Sequence, residues 1–426
     1  MPRTLILHIG TMKTGSTAIQ HALSSNREAM LARGVCYPGP PDAMHHLLFA
    51  MLFTSFRDAY ADFGNVLWRG RDPQLLLQEY RQGFTAEIAA LPEHVGRVIV
   101  SSEQLGQLVR EGEDIARLRA EMAELFDDFR IIVYLRRQDS HFISSYSQTL
   151  RNGMIRKPAF RRLREHRHVY DYHALLDAWA AVFGQDAVLP RIFENSPGAP
   201  FDVVADFLSV TGLDGLAVKP SGARAANPSM NAQGQRLLRE IGHKLKAKYG
   251  REFSRTALWR RLTTAVTEAL PGRGWQPARA EAEEFVARFA DSNEAVRRRW
   301  FPDRPSLFST DFTNLPERPE HPKFDSEGAT TVLLHVLQQT MDREQEAAKA
   351  ALRTQQSNHR ARRLTLLRSI KRDPLDVEAR LELAEIQIEE GAMEAARFNV
   401  QAALKVEPTL EAGLGLLRRI EERLLF

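Results

Sequence analysis

The chain holds one cysteine, Cys36, among 426 residues. A single thiol excludes an internal disulfide and any zinc site built on several cysteines, and it fits a reducing compartment. No apolar run approaches the roughly 20 residues that span a bilayer. An apolar run, 5–9, begins almost at Met1, so no signal peptide is expected and a cytoplasmic protein is the default. Neither sign of charge dominates: 58 Lys and Arg face 54 Asp and Glu, a net charge of +4. That excess is too diffuse for a nucleic-acid surface, but it fits an anionic ligand. One further absence is local. A Walker A loop, G-x-x-x-x-G-K-[ST], carries a lysine after its second glycine. Gly10 and Gly15 have the right separation, but Ser16 stands where that lysine is needed.

What is present organises the chain around its start, LILHIGTMKTGSTAIQ at 5–20. The β-branched apolar run 5–9 suits a buried strand of a parallel sheet. Gly10 ends it. Ser16 and Thr17, followed by Ala18, Ile19, Ala22 and Leu23, read as a capped helix with one apolar face. A strand, a glycine-bearing loop and a helix N-terminus together make an anion site, because amides point into the loop and the helix dipole favours negative charge. Runs 97–100, 130–135 and 187–194 read as further strands, the last bent at Pro190. Segments 72–91, 113–127, 170–183 and 201–210 read as helices, whereas 33–41, with its Gly and Pro, reads as a loop. This alternation predicts an α/β fold with a central parallel sheet. Ligands of such sheets bind beyond the carboxyl ends of the strands, and Lys13, Glu103 and Arg136 all follow predicted strands.

The stretch Lys13-Thr-Gly-Ser-Thr17 resembles the phosphosulfate loop of the sulfotransferases, K-[ST]-G-[ST]-T directly after the first strand. Arg136, leaving a predicted strand, and Ser144, eight residues on, resemble that family's 3′-phosphate motif. An Arg fork and a Ser hydroxyl suit phosphate oxygens. Arg137-Gln138 departs from the Asn or Asp followed by Pro that the family often carries there. The order Tyr170, Leu175, Trp179, Phe183-Gly184, then Phe193-Glu194, and the stretch Asn227-Pro-Ser-Met-Asn231 also look like the bacterial members. The resemblance covers roughly residues 1–315. It implies a P-loop-like three-layer fold and transfer of a sulfuryl group from 3′-phosphoadenosine 5′-phosphosulfate (PAPS) to a hydroxyl or amine, without a metal. It further implies that Thr14, Gly15, Ser16 and Thr17 hold the 5′-phosphate, that Lys13 neutralises charge on the departing PAP, and that Arg136 and Ser144 hold the 3′-phosphate. For the base it offers two positions. One falls on Tyr37-Pro38 to His45-His46, with His46 the better match; the other is Glu103. An imidazole needs little tuning near neutral pH, which favours His46.

Two other function classes stay open. A P-loop kinase would need the missing lysine and an Asp ending a strand, for which Ser101-Ser102-Glu103 is a poor substitute. A non-catalytic protein with a degenerate nucleotide site would rely on its tail for partners. The basic stretch from Arg156 and Lys157 through Arg161, Arg162, Arg164 and Arg167 reads as a solvated helix face or as a rim for an acidic glycan or glycolipid acceptor. The element from Asp291 to Phe301 reads as a structural surface helix. The polar, Pro-bearing segment near 316–328 is a boundary. Beyond it, Asp373-Pro374 and Glu407-Pro408 stand 34 residues apart, with Leu383-Ala384, Gly391, Ala395-Ala396 and Ala403-Leu404 between them. That order matches a tetratricopeptide repeat. The expected organisation is a PAPS-binding domain over 1–318, a linker and long helix over 319–357, and an all-α tetratricopeptide-like segment over 358–426. That segment could meet a protein partner or a second copy of the chain.

Overall fold

The computed structural model describes residues 2–39, 46–55, 72–160, 168–195, 200–216, 229–319 and 326–424. His45, the basic residues 161–167 and Asn227 lie outside the described residues. The chain divides into two compact units, Met1–Val332 and Leu333–Phe426.

The first unit is α/β. Its sheet is formed by β1 (Thr4–His8), β2 (Val35–Cys36), β3 (Arg97–Ser101), β4 (Asp128–Leu135) and β5 (Val188–Ile192). The strands lie in the order β2-β3-β1-β4-β5, and every neighbouring pair is parallel. Pro190 is tolerated because β5 is an edge strand. Successive side chains of the inner strands alternate between two cores, as the strand period requires. Leu5, Leu7, Val98, Val100, Ile131 and Val133 pack on one face, against helices that include Gly112–Met122 and Tyr172–Phe183. Ile6, Ile99, Ile132 and Tyr134 pack on the other, against the helices Ser16–Ser25 and Val203–Val210. Helix plus sheet plus helix gives three layers with the sheet buried between them.

Several elements, among them the helices Arg27–Leu31, Ala257–Ala269 and Arg279–Ala287, were not expected from the sequence, and two of them adjoin β3. The loop expected over 33–41 contains β2, only two residues long and so without a readable period. Gly34, at φ +74°, turns the chain, and its carbonyl accepts both the Gly96 and Arg97 amides at 3.2 Å, which sets β2 beside β3. The second element is the helix Glu103–Leu108, which follows β3 with a single intervening residue. Where sequence and structure agree, local chemistry explains it. Asp72 accepts the Gln74 amide at 2.7 Å ahead of Pro73, Asp202 accepts the Ala205 amide at 3.0 Å, and Asn231 accepts the Gly234 amide at 2.9 Å. Each such cap contributes about 1 kcal/mol.

The strand order places the site. From β1 the chain runs toward the β2 edge; from β4 it runs toward β5. The loops leaving the adjacent carboxyl ends of β1 and β4 therefore diverge, and the crevice between them is where open α/β sheets bind ligands.

The second unit is all helical. It holds the greater part of the helix Ser326–Arg372, followed by Val377–Glu389, Met393–Val406 and Glu411–Leu424. Ala384, Ala396 and Ala403 are fully buried, so the facing helices approach closely. Asp376 caps its helix through the Ala379 amide at 2.9 Å, and Gly391, at φ +80°, makes the turn into the next.

Candidate anion-binding site

The loop from Gly10 to Gly15 is tied to β4 and bent by its own residues. Thr11 donates its amide to the Tyr134 carbonyl at 3.1 Å, and Tyr134 donates its amide to the Gly10 carbonyl at 2.7 Å. The Thr14 hydroxyl donates to the Thr11 carbonyl at 2.6 Å, closing the turn from inside. Lys13 lies in the left-handed region at φ 62°. For a residue with a Cβ this costs about 1–2 kcal/mol. Part of the compensation is visible: Arg136, at the end of β4, donates Nη1 to the Lys13 carbonyl at 2.8 Å. The Arg136 guanidinium also lies over the Phe193 ring, 5.3 Å from its centre. Beneath it, the Tyr172 hydroxyl donates to the Arg136 carbonyl at 2.5 Å.

The helix Ser16–Ser25 opens without a side-chain cap, contrary to the sequence expectation. Its N-cap is Gly15, in the left-handed conformation, and the Ser16 hydroxyl points back to the Thr11 carbonyl at 3.4 Å. The amides of Thr14, Gly15, Ser16 and Thr17 donate to no backbone carbonyl among the described residues. A Ser or Asp cap would occupy the amides that an anion needs. Gly15 is required twice over, by its φ of +85° and because a Cβ there would stand 2.6 Å from Val203 Cγ1.

Three cations share this space. Burial lowers the Lys13 pKa first, and the charges of Arg151 and Arg136 lower it further, while Glu103 acts in the opposite direction. Burial also lowers the pKa of Arg136 and of Arg151. Holding like charges together away from water is unfavourable unless an anion joins them. Ser144 is half-buried on the second turn of the helix Gln138–Arg151. Arg151 follows it by seven residues, two turns along the same face. Its guanidinium donates to the Thr267 hydroxyl at 3.2 Å, and its carbonyl accepts the Trp259 indole N–H at 2.7 Å. Arg151 was not singled out from the sequence, although its spacing from Ser144 could have shown it.

Arg137 explains the departure from the expected turn. It forms a bidentate pair with Asp139 at 2.8 and 3.0 Å and donates to the carbonyls of Ser309 and Asp311 at 2.9 and 2.7 Å. The turn that a proline would stiffen is fixed here by an ion pair. Gln138 and Asn293 exchange hydrogen bonds at 2.6 and 3.3 Å, which makes the helix Ala290–Trp300 a structural neighbour of the site.

The two candidate bases differ sharply. His46, favoured from the sequence, is buried, and both ring nitrogens are engaged with backbone. Ser101 donates its amide to Nδ1 at 3.0 Å, so Nδ1 is the acceptor, and Nε2 donates to the Pro38 carbonyl at 3.0 Å. This neutral tautomer ties β3 to the segment after β2 and leaves no ring lone pair for an acceptor's proton. Glu103 begins the helix Glu103–Leu108, and its Cα lies 3.2 Å from where a Cβ on Gly10 would be. Gln20 donates Nε2 to its Oε2 at 3.2 Å. Gln20 is another residue the sequence reading passed over. A polar residue one turn after Ser16, on an otherwise apolar buried face, was the available signal.

No family model matches the chain. Among curated proteins, an uncharacterized protein of Archaeoglobus fulgidus is 27% identical over 116 residues, which are 27% of this chain and 31% of that protein. The match thus spans about a third of that relative's length. Among solved structures, a sulfotransferase from Alicyclobacillus acidocaldarius is similar at a TM-score of 0.34 and 15% identity, over 70% of this chain and 97% of that one. No helix among the described residues is long and apolar enough to cross a membrane.

Proposed function

We propose that the protein is a sulfotransferase that moves the sulfuryl group of PAPS to a hydroxyl or amine of an acceptor. The observation that carries this reading is the joining of Lys13 to Arg136 across the β1–β4 crevice, beside a helix N-terminus whose Thr14 to Thr17 amides donate to no backbone carbonyl among the described residues. The amides of Thr14 to Thr17 bind the 5′-phosphate. Lys13 sits where negative charge grows on the bridging oxygen as PAP departs. Arg136 and Ser144 hold the 3′-phosphate, which separates PAPS from ATP. Arg151 supplies a third positive charge to the same anion. Glu103, rather than His46, takes the acceptor's proton, because its carboxylate is anchored through one oxygen only. The acceptor is a glycan, lipid or small molecule. The 34-residue spacing supports a tetratricopeptide-like tail that meets a protein partner, and the site chemistry suits a cytoplasmic setting where PAPS is made.

Calorimetric titration of PAP without metal tests this. Wild type binds; Lys13→Ala and Arg136→Ala each weaken binding about 10–100-fold, the loss of one or two charge-assisted hydrogen bonds. Binding of ATP only with Mg²⁺ would favour a kinase, and binding of neither nucleotide would leave a non-catalytic protein.

A further inference from the structure

Gln20 is 3% exposed on the inner face of the helix Ser16–Ser25, among Ile19, Ala22 and Leu23. A buried primary amide is costly unless its hydrogens find acceptors. Here Nε2 donates to Glu103 Oε2 at 3.2 Å and, at a longer 3.5 Å, to the Ser101 carbonyl. The backbone of Glu103 is fixed separately. Its Cα and Cβ both lie 3.2 Å from where a Cβ on Gly10 would be, and Gly106 donates its amide to the Ile9 carbonyl at 3.2 Å. A Cβ on Gly106 would come within 2.6 Å of that carbonyl oxygen, so helix and strand end are in tight contact. With the backbone pinned, what remains free is the rotation of the Glu103 side chain, and Gln20 is the group that holds it. The charged and titratable groups facing the carboxylate are the Lys13 ammonium from the loop and the Tyr37 phenol from the segment after β2.

We infer that Gln20 is the positioning residue of the base: it holds Oε2 of Glu103 from behind, so that Oε1 is the oxygen presented to the acceptor. The inference rests on sulfuryl transfer with Glu103 as base. In that step the acceptor oxygen forms a bond to sulfur, and its proton passes to Glu103 Oε1. The bond from sulfur to the bridging oxygen breaks, and its electron pair leaves on the phosphate of PAP. The Gln20 hydrogen bond stays on Oε2 throughout. It orients the carboxylate.

The test uses the full chain and the slow hydrolysis of PAPS, with water as acceptor and PAP release as the readout. Leu fits the apolar surroundings, so Gln20→Leu removes the donor at constant bulk. It lowers kcat about tenfold and leaves KM for PAPS within about twofold. In a Glu103→Gln background the same substitution adds nothing, because its effect runs through the carboxylate. Gln20→Glu, equal in shape, replaces the donor with a carboxylate that repels the first, and lowers kcat at least as much. An equal loss in both backgrounds, or a wild-type rate in Gln20→Leu, overturns the inference. A second readout needs no turnover: the Gln20 side-chain amide, assigned by its absence in Gln20→Leu, is followed by ¹H–¹⁵N NMR. Its signals move in Glu103→Ala, which removes the acceptor; unmoved signals remove the contact. Should wild type neither bind PAP nor cleave PAPS, the sulfotransferase reading falls and the base role with it, while the amide signals still report whether Gln20 holds Glu103.

Discussion

The carboxyl edge of the sheet and the helical unit after Val332 follow opposite rules. In the helical unit local preference and fold agree. Asp376 caps its helix, Gly391 takes the left-handed turn, and small residues line the faces that touch. At the sheet edge the same preferences are broken. Lys13 carries a Cβ at positive φ, a helix begins without a side-chain cap, and Lys13, Arg136 and Arg151 share one half-buried space. Chains keep such conflicts where a ligand resolves them. The contrast teaches that the local preferences of the edge give way to something outside the chain, whereas those of the helical unit serve its own packing.

The largest way to break that contrast lies within the edge, between Glu103 and His46. Glu103→Gln is expected to lower PAPS turnover about 100-fold, the scale of general-base catalysis, with the melting temperature nearly unchanged. His46→Ala should do the reverse. It removes two buried hydrogen bonds to backbone and costs about 2–4 kcal/mol of stability, while turnover per folded molecule stays within a few-fold. Turnover kinetics alongside thermal unfolding separate the two. A catalytically dead but stable His46→Ala would exchange the roles.

That pair also marks where sequence reading stops. The sheet was legible because β1, β3 and β4 are apolar runs ending in polar residues, and the loop because Gly10, Lys13 and Gly15 keep a fixed spacing. The choice between the two candidate bases was not, because sequence shows residue types and not the direction in which a lone pair points. His46 is the more natural base by type, yet the Ser101 amide and the Pro38 carbonyl take both its nitrogens. Gln20 and Arg151 left a spacing signal in the sequence, but their roles were not legible, for a related reason. Each matters through a partner 83 or more residues distant in the chain, as Gln20 does with Glu103 and Arg151 with Thr267.

Acid should sharpen the contrast between the units. Burial depresses the pKa of His8 and of His141 to about 3, against an ordinary value of 6.5. Below 6.5 the unfolded chain therefore binds protons that the folded chain refuses, and stability is lost as pH falls toward 3. The slope is up to about 1.4 kcal/mol per pH unit for each histidine. In the helical unit the carboxyl shifts have the same sign but act at lower pH. The Ala379 amide and Ser369 hold the Asp376 carboxyl low, and Arg362 holds that of Glu382 low. Their contribution persists until pH falls through the carboxylate range. Hydrogen exchange at pH 7, 5 and 4 should show β1 and the helix Gln138–Arg151 losing protection before Val377–Glu389 does. Simultaneous loss would mean that the two units unfold together.

The smallest effect is the cleanest comparison, because the same substitution can be made in both regions. Gly15 and Gly391 sit at φ +85° and +80°, so a Cβ costs each about 1–2 kcal/mol for the left-handed conformation alone. At Gly391 nothing lies within 4 Å of that Cβ. Gly391→Ala should therefore lower the melting temperature of the helical unit by a few degrees and leave PAP binding as it was. At Gly15 the Cβ meets Val203 Cγ1 at 2.6 Å, at the start of the helix Val203–Val210. Relief must come by moving that helix or by turning the loop, and turning the loop re-aims the amides proposed to hold the anion. Gly15→Ala should lose PAP affinity in addition to stability. Val203→Ala in the same molecule removes the obstructing methyl and should restore much of that affinity, while the cost of the positive φ remains. If affinity stays lost in the double variant, the φ of Gly15, and not the space beside it, sets the shape of the loop.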